Sequence, residues 1–373
     1  MTAKLIPEVP VLRSHPLWSA RFADEPEDYA KLGIEAGRIE PFEDGMRTRG
    51  GPGGYEWWYF DSHLDDGSSL VIVFYTKPQL NPNGALAPFA SLELNRPGQP
   101  AIRVEAHGSP DEFSASPDQC DVRIGENAFH GNLHDYAIHF SHDDVTVDIK
   151  LTGTVPSWRP TSGHIFFGDD DEHLFAWLAA VPQGKVSADL NIRGKKEHLE
   201  GIGYHDHNWG DVSMAKLINH WYWGRAQAGD YSIVASYIFA EKAYGRAELP
   251  IFMLAKGGRI IADDAHKVSF HLEDEHMDPK SGIPVANVVV YEYEDGPDRY
   301  RVSYRRSETI VDEELIEHVS GFKHLMAELA RFDGAYLRFT GNVQLERFVN
   351  GELMENVSDP GIWEMMYFGH VNR

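Results

Sequence analysis

The sequence predicts an all-β protein, two antiparallel β-barrel domains in tandem with one or two short helices. Three observations carry this. Short runs rich in β-branched and aromatic residues recur with turn signals about every 8–12 residues, as in sandwiches and barrels. Strands do not alternate with helices, so a doubly wound sheet is not expected. The length, 373 residues, fits two domains.

The elements follow in order. Residues 1–45 read as an N-terminal extension, where Pro7, Pro10 and Pro16 break any early helix and residues 25–36 leave room for a short one. Residues 47–54 are Gly-rich but lack the Lys-Ser/Thr of a phosphate-binding loop, so they read as a turn. The first barrel is expected over 46–212. Runs 55–63 and 69–77 flank Asp65-Asp66-Gly67, a hairpin signal. Shorter strands are expected at 91–94, 101–107, 121–124 and 136–141. In 145–151, Val145, Val147, Ile149 and Leu151 alternate with Thr146, Asp148 and Lys150, the pattern of a half-buried strand. Residues 174–181 are nearly all apolar, as in a strand covered on both faces, and 186–192 alternates again. The second barrel is expected over 213–373. Its strands are predicted at 231–239, 250–256, 259–263, 268–272, 286–293 and 300–305. Val319, Phe322, Met326 and Leu329 predict a helix over 317–331, and a long meander closes the chain.

Composition removes whole classes of function. A net charge of −24, from 58 acidic and 34 basic residues, argues against nucleic acid and anionic membrane surfaces as partners, because both need basic patches. Cys120 is the single cysteine, so neither an intrachain disulfide nor a Cys-based metal cage can form. The N-terminal residues lack the apolar core of a signal peptide, and the longest apolar run, 174–181, falls far short of the roughly 20 residues of a membrane span. A cytoplasmic protein without an integral membrane segment is expected.

Rings, imidazoles and carboxylates are densest at 203–225. Gly-Tyr-His-Asp-His-Asn-Trp-Gly-Asp opens this stretch and His-Trp-Tyr-Trp-Gly-Arg closes it. Read as strand, His205, His207 and Trp209 share one face, and Tyr204, Asp206 and Asn208 the other. Trp221, Trp223 and Arg225 likewise share a face, opposite His220, Tyr222 and Gly224. The two pieces are expected as neighbouring strands that aim both sets into one cavity at the domain junction, where ligand sites concentrate.

Two motifs, Glu56-Trp57-Trp58-Tyr59-Phe60-Asp61 and Gly203-Tyr204-His205-Asp206-His207-Asn208-Trp209-Gly210, lie roughly 150 residues apart. Together they resemble the carotenoid 1,2-hydratase (hydroxyneurosporene synthase) family. Its superfamily includes AttH-like proteins, kievitone hydratase and fungal decalin-forming Diels–Alderases. The ending 364–369 is similar to the family's C-terminal strand. The resemblance spans the chain from about residue 40 onward. It implies two lipocalin-like barrels in tandem and a hydrophobic, often terpenoid or polyene, substrate that is hydrated, cyclised or closed pericyclically. It further implies a role in activity for His207 and Trp209, with Asp230 and Tyr231 as counterparts of further acidic and tyrosine positions.

Hydrating an alkene or cyclising a polyene begins with protonation, and a carboxyl group buried among rings stays protonated near neutral pH. Asp206 is the leading acid, with His205 and His207 beside it to tune or reload it. The plainer alternative is that Asp206 accepts hydrogen bonds and braces a turn. Glu56 and Asp61 are the other candidates, and either could instead pair with Arg225 as a structural ion pair. The cation formed next is stabilised by aromatic faces. Trp57, Trp58, Trp209, Trp221, Trp223, Tyr204 and Tyr222 supply them, although Trp57 and Trp58, adjacent on a strand, cannot both face one cavity. His205-x-His207 is also a metal-capable spacing, with His220 or Asp211 as a third ligand. Hydrogen-bonding histidines are the commoner outcome, and neither metal nor other cofactor is expected. Serine hydrolase, nucleotide oxidoreductase and zinc protease motifs do not occur.

The function expected from the sequence is therefore a cofactor-independent hydratase or cyclase, a lyase or isomerase, acting on an isoprenoid or polyene. The alternatives are a pericyclase acting on a polyketide-like polyene, and a lipocalin-type carrier of a hydrophobic ligand.

Overall fold

Period-two alternation in the sequence becomes two curled antiparallel sheets in the computed structural model, which describes residues 20–78, 81–314 and 334–369. The helix expected over 317–331 lies outside the described residues. Strands from Ala20–Phe22 to Lys195–Gly210 form a sheet of thirteen; those from Ile218–Ala228 to Glu352–Tyr367 form a sheet of nine. In the first sheet Tyr55–Leu64 pairs with Lys195–Gly210, joining the opening hairpin to the sheet's last strand. The sheet curls around a core that includes Phe60, Phe74, Phe129 and Phe140. In the second, Ile218–Ala228 pairs with Glu352–Tyr367 around Phe252, Tyr291, Leu337 and Trp363. The alternating run behaves as expected: Val145, Val147, Ile149 and Leu151 are buried and Asp148 and Lys150 exposed.

Two details depart from the sequence reading. The runs 174–181 and 186–192 are one strand, His173–Ile192. Its register against Lys195–Gly210 slips between Leu178 and Val181 and again between Val181 and Gly184. Pro182 cannot donate to a ladder, and a Cβ on Gly184 would stand 2.8 Å from the Thr152 carbonyl oxygen, so these residues bend a continuous strand instead of ending it. The first helix, Pro26–Leu32, is shorter than the window for it, because Gly33 stops it in the left-handed conformation (φ 69°).

A third core lies between the sheets. Trp57, Phe175 and Trp177 of the first pack with Val234, Ile238 and Met253 of the second. The chain crosses through the short helix Met214–Leu217. A pairing of Asp61 with Arg225, and another of Glu93 with Arg338 at 3.3 Å, also join the two sheets. Among the described residues, no helix is long and apolar enough to cross a membrane.

Candidate active site

The pairing of Tyr55–Leu64 with Lys195–Gly210 sets Tyr204 opposite Asp61, Asp206 opposite Tyr59, and Asn208 opposite Trp57. Directly opposed residues share a face, so these six side chains form one wall. The second wall comes from the other sheet. There Trp223 stands opposite Glu364, Trp221 opposite Met366, and Arg338 opposite Glu364. The two halves of the 203–225 stretch are thus not neighbouring strands, as expected, but face one another from different sheets. Between them lies a recess of about 80 Å³ lined by Trp57, Tyr59, Trp177, Asp206, Trp223 and Glu364. An adjoining cleft of about 610 Å³ shares Trp57, Tyr59, Trp221 and Glu364 with it.

Asp206 is 6% exposed. Oδ2 accepts from the Tyr204 hydroxyl at 2.8 Å and from the Trp177 indole N–H at 2.9 Å; Oδ1 accepts from Asn208 Nδ2 at 2.7 Å. Burial pushes its carboxyl up to about 7, against the pull of Tyr204, His205 and Trp177. An acid that retains its proton near neutrality therefore sits in an aromatic recess. Trp223 packs its ring 5.9 Å from Tyr59 and 5.5 Å from Tyr204, and Trp221 lies 6.3 Å from Phe175.

On the second wall, Glu364 Oε2 accepts from the Tyr336 hydroxyl at 2.6 Å. Tyr336 in turn accepts from Arg338 Nη2 at 2.7 Å and Nε at 3.0 Å. Burial raises the Glu364 carboxyl above its ordinary value, although Arg338 and the Tyr336 and Trp221 donors pull against the rise.

Other expected site residues lie on the reverse face. His205 and His207 point into the first barrel, opposite to Asp206, because adjacent strand residues alternate. They therefore do not sit beside it to reload it. His205 Nδ1 bonds the Tyr59 carbonyl at 2.8 Å and Nε2 meets Asp44 Oδ2 at 3.2 Å. His207 Nε2 meets Glu56 Oε1 at 2.8 Å. Glu56 also accepts from the backbone N–H groups of Arg47 and Thr48 and from the Thr48 hydroxyl, so it braces the barrel interior and faces no cleft. Trp58 stacks on His207 with ring centroids 4.7 Å apart, and Trp209 packs on the same imidazole. Both belong to the barrel core, as Tyr222 does in the second barrel. Of the adjacent tryptophans, Trp57 is the one that faces the cleft. Asp61 takes the ion-pair alternative. It pairs with Arg225 and accepts from Tyr59 at 3.0 Å, so it is no free acid. The carry-over to Asp230 and Tyr231 is not supported either: Asp230 is in an exposed turn, and Tyr231 donates to Glu355 in the second barrel.

The third-ligand positions proposed for a metal also lie elsewhere. His220 packs 5.0 Å from Phe239, and Asp211 accepts from Leu174 N at 3.0 Å. Around His205 the ligand-type neighbours are Asp44 and Cys120, with one atom of each within 4.8 Å of the others. Asp44 is already engaged there by the Tyr136 hydroxyl and by His205.

Sequence reasoning missed Tyr59, Trp177, Tyr336, Arg338 and Glu364. Tyr59 shares a strand face with Trp57 and Asp61, and alternation alone could have placed it. Glu364 is the single carboxylate in the otherwise apolar run 362–368, which was a usable signal. Trp177 lay hidden in an apolar run that reads as core.

Residues 132–294 match a family model described as Diels-Alderase-like. The hydroxyneurosporene dehydrogenase of Chlorobaculum tepidum is 27% identical over 251 residues, 58% of this chain and 65% of that protein. The quinolone epoxide rearrangement protein asqO of Emericella nidulans is 23% identical over 318 residues, 80% of this chain and 84% of that one. The match to the first therefore spans less than two thirds of that relative. Among solved structures, CghA with Sch210972 is similar in fold, with a TM-score of 0.60 at 13% identity over 85% of this chain and 89% of CghA. With two curled antiparallel sheets meeting at an aromatic cleft, the chain is similar to the proteins that join the carotenoid hydratases with the Diels–Alderases.

Proposed function

We propose that this protein is a cofactor-independent enzyme that protonates a hydrophobic terpenoid or polyene substrate and then hydrates or cyclises it in the cleft between the two sheets. The observation that carries the reading is Asp206, a buried carboxyl at about 7 that faces the recess and is held by neutral donors alone. Such a group delivers its proton to an alkene carbon, or to the oxygen of an epoxide of the kind named for asqO. Trp57, Trp221 and Trp223 then offer ring faces to the cation, each worth up to about 2 kcal/mol when desolvated. Aromatic walls shield the cation from bulk solvent, so it survives long enough to react.

The test is Asp206→Asn, assayed in D₂O with an acyclic carotenoid and with a quinolone epoxide. Turnover should fall by about 10²- to 10⁴-fold while ligand binding persists. Full activity in the variant would refute the acid.

The match to the Diels-Alderase-like model favours a second reading, a pericyclase. That chemistry needs a shaped aromatic cavity and hydrogen bonds to a polar substrate head, but no proton transfer. Turnover that is indifferent to Asp206→Asn, with no deuterium in the product, would select it.

A further inference from the structure

We infer that Glu364 is the catalytic base of the same cleft, paired with Asp206 from the opposite wall, and that the substrates are those whose reaction passes through a carbocation. The inference rests on the reading of Asp206 as the acid. Both carboxylates line one recess of about 80 Å³, one from each sheet. Their surroundings differ in kind. Asp206 receives hydrogen bonds from neutral groups. Glu364 accepts from Tyr336, whose hydroxyl is gripped by the Arg338 guanidinium at 2.7 and 3.0 Å. The Trp221 indole also bonds Glu364, and Asp61, the further acid that acts on it, is itself paired with Arg225. A cation behind a tyrosine favours the ionised form, whereas neutral donors in a dry recess leave the protonated form in place. Burial raises both carboxyls, and the Arg338 cation, which acts on Glu364 and not on Asp206, is what separates the base from the acid. A third observation points to a polar atom between them. Trp223 lines the recess, and among the described residues its buried indole N–H has no partner.

The proton count closes. Asp206 gives its proton to the alkene carbon and becomes a carboxylate, leaving a cation on the neighbouring carbon. In hydration, a water oxygen bonds that carbon as Glu364 removes one of the water's protons. In cyclisation, Glu364 removes a proton from the carbon beside the final cation, forming the new double bond. The enzyme ends with Asp206 ionised and Glu364 protonated, and exchange with solvent restores both. The cation spends its life between Glu364 and the indole faces.

The test uses a stable cation. N,N-Dimethyldecylamine is protonated at pH 7, and N,N-dimethyldecanamide is its uncharged counterpart. Binding is read from the fluorescence of Trp57, Trp177, Trp221 and Trp223, all of which line the recess. The wild type should prefer the amine by about tenfold or more, a difference of roughly 1.4 kcal/mol. Glu364→Gln should abolish the preference and Asp206→Asn should keep it. In the Asp206→Asn protein the amine's affinity should also fall on acidification while the amide's does not, a result that misfolding of the Glu364 variant cannot imitate. With the carotenoid in D₂O, Glu364→Gln should leave deuterium in recovered substrate yet form little product, whereas Asp206→Asn should show neither. An amine preference that survives Glu364→Gln, or no preference in the wild type, overturns the role of Glu364. Activity that survives Asp206→Asn overturns the acid, a separate failure.

Discussion

The protonated state of Asp206 has a consequence for stability that needs no substrate. Its carboxyl rises from 3.8 to about 7 on folding because burial penalises the charge. Below about pH 4 the folded and unfolded chains both hold this proton, and the group has no effect on the pH slope. Between pH 4 and 7 the folded protein keeps a proton that the unfolded chain has released. Stability therefore falls as pH rises, by at most about 1.4 kcal/mol per pH unit. The span is roughly three pH units, so the contribution lost by pH 8 is on the order of 4 kcal/mol, a large part of a typical folding free energy. Asparagine is close in shape, still accepts through its carbonyl oxygen, and does not titrate. Urea unfolding of wild type and Asp206→Asn should be compared at several pH values from 4.5 to 8, at constant ionic strength. All other titrating groups are common to both proteins, so the difference isolates Asp206. The variant should gain on the wild type by several kcal/mol across this range, with unchanged m-values. Parallel pH curves would show that Asp206 ionises normally in the folded protein and would remove the basis for its role as acid. The same protonation predicts that turnover declines about tenfold per pH unit above 7.

Three further perturbations separate the two faces of the strands. Arg225→Leu leaves Asp61 buried without its cation and should cost about 3–5 kcal/mol in denaturant melts, while Asp61→Leu combined with Arg225→Leu should recover much of the loss. Trp58→Ala empties a fully buried core site and should cost about 3–5 kcal/mol; Trp221→Leu should cost far less by the same melts, yet weaken ligand-induced fluorescence changes and turnover. Glu56→Gln weakens the contacts to Thr48 and His207 and should cost about 1–3 kcal/mol in melts, with activity per folded molecule unchanged.

The sequence revealed the fold and one wall of the cleft, and it did so through alternation. Tyr204, Asp206 and Asn208 fall on one face by counting alone, and the structure keeps them there. Counting also separates Trp57 from Trp58. It cannot say which face meets solvent, core or cavity, because 203–210 carries polar residues on both sides and both are buried. Hydrophobic contrast, the usual indicator of the inner face, is missing there. His205 and His207 consequently read as partners of Asp206 when their partners are Asp44 and Glu56, separated from them by more than a hundred residues of chain. The second wall was less legible for a different reason. Glu364 meets Arg338 across the long hairpin of Ala335–Val349 and Glu352–Tyr367, whose register shifts at Arg347/Phe348, and meets Trp223 from a strand more than a hundred residues away; local patterns hold no record of either register.

Three consecutive titratable residues show how partners decide chemistry on one strand. His205, Asp206 and His207 are all buried, so each must meet the cost of leaving water. The two imidazoles meet it inside the barrel, each against a carboxylate within 3.2 Å, and those interactions consume their capacity to act elsewhere. Asp206 meets it differently. Its partners Tyr204, Trp177 and Asn208 carry hydrogens but no charge, and among the described residues no ion pair forms with it. Hydrogen bonds alone do not offset the burial of a carboxylate, so the proton stays. A lysine or arginine within reach of Asp206 would stabilise the ionised form and strengthen the fold, and it would also end the group's use as an acid. Arg225 of the facing sheet, whose guanidinium lies 5.9 Å from the Tyr204 ring, is instead committed to Asp61 two residues along the wall. That ion pair therefore does more than join the sheets: it keeps a cation occupied beside a carboxyl group that works only while no cation reaches it.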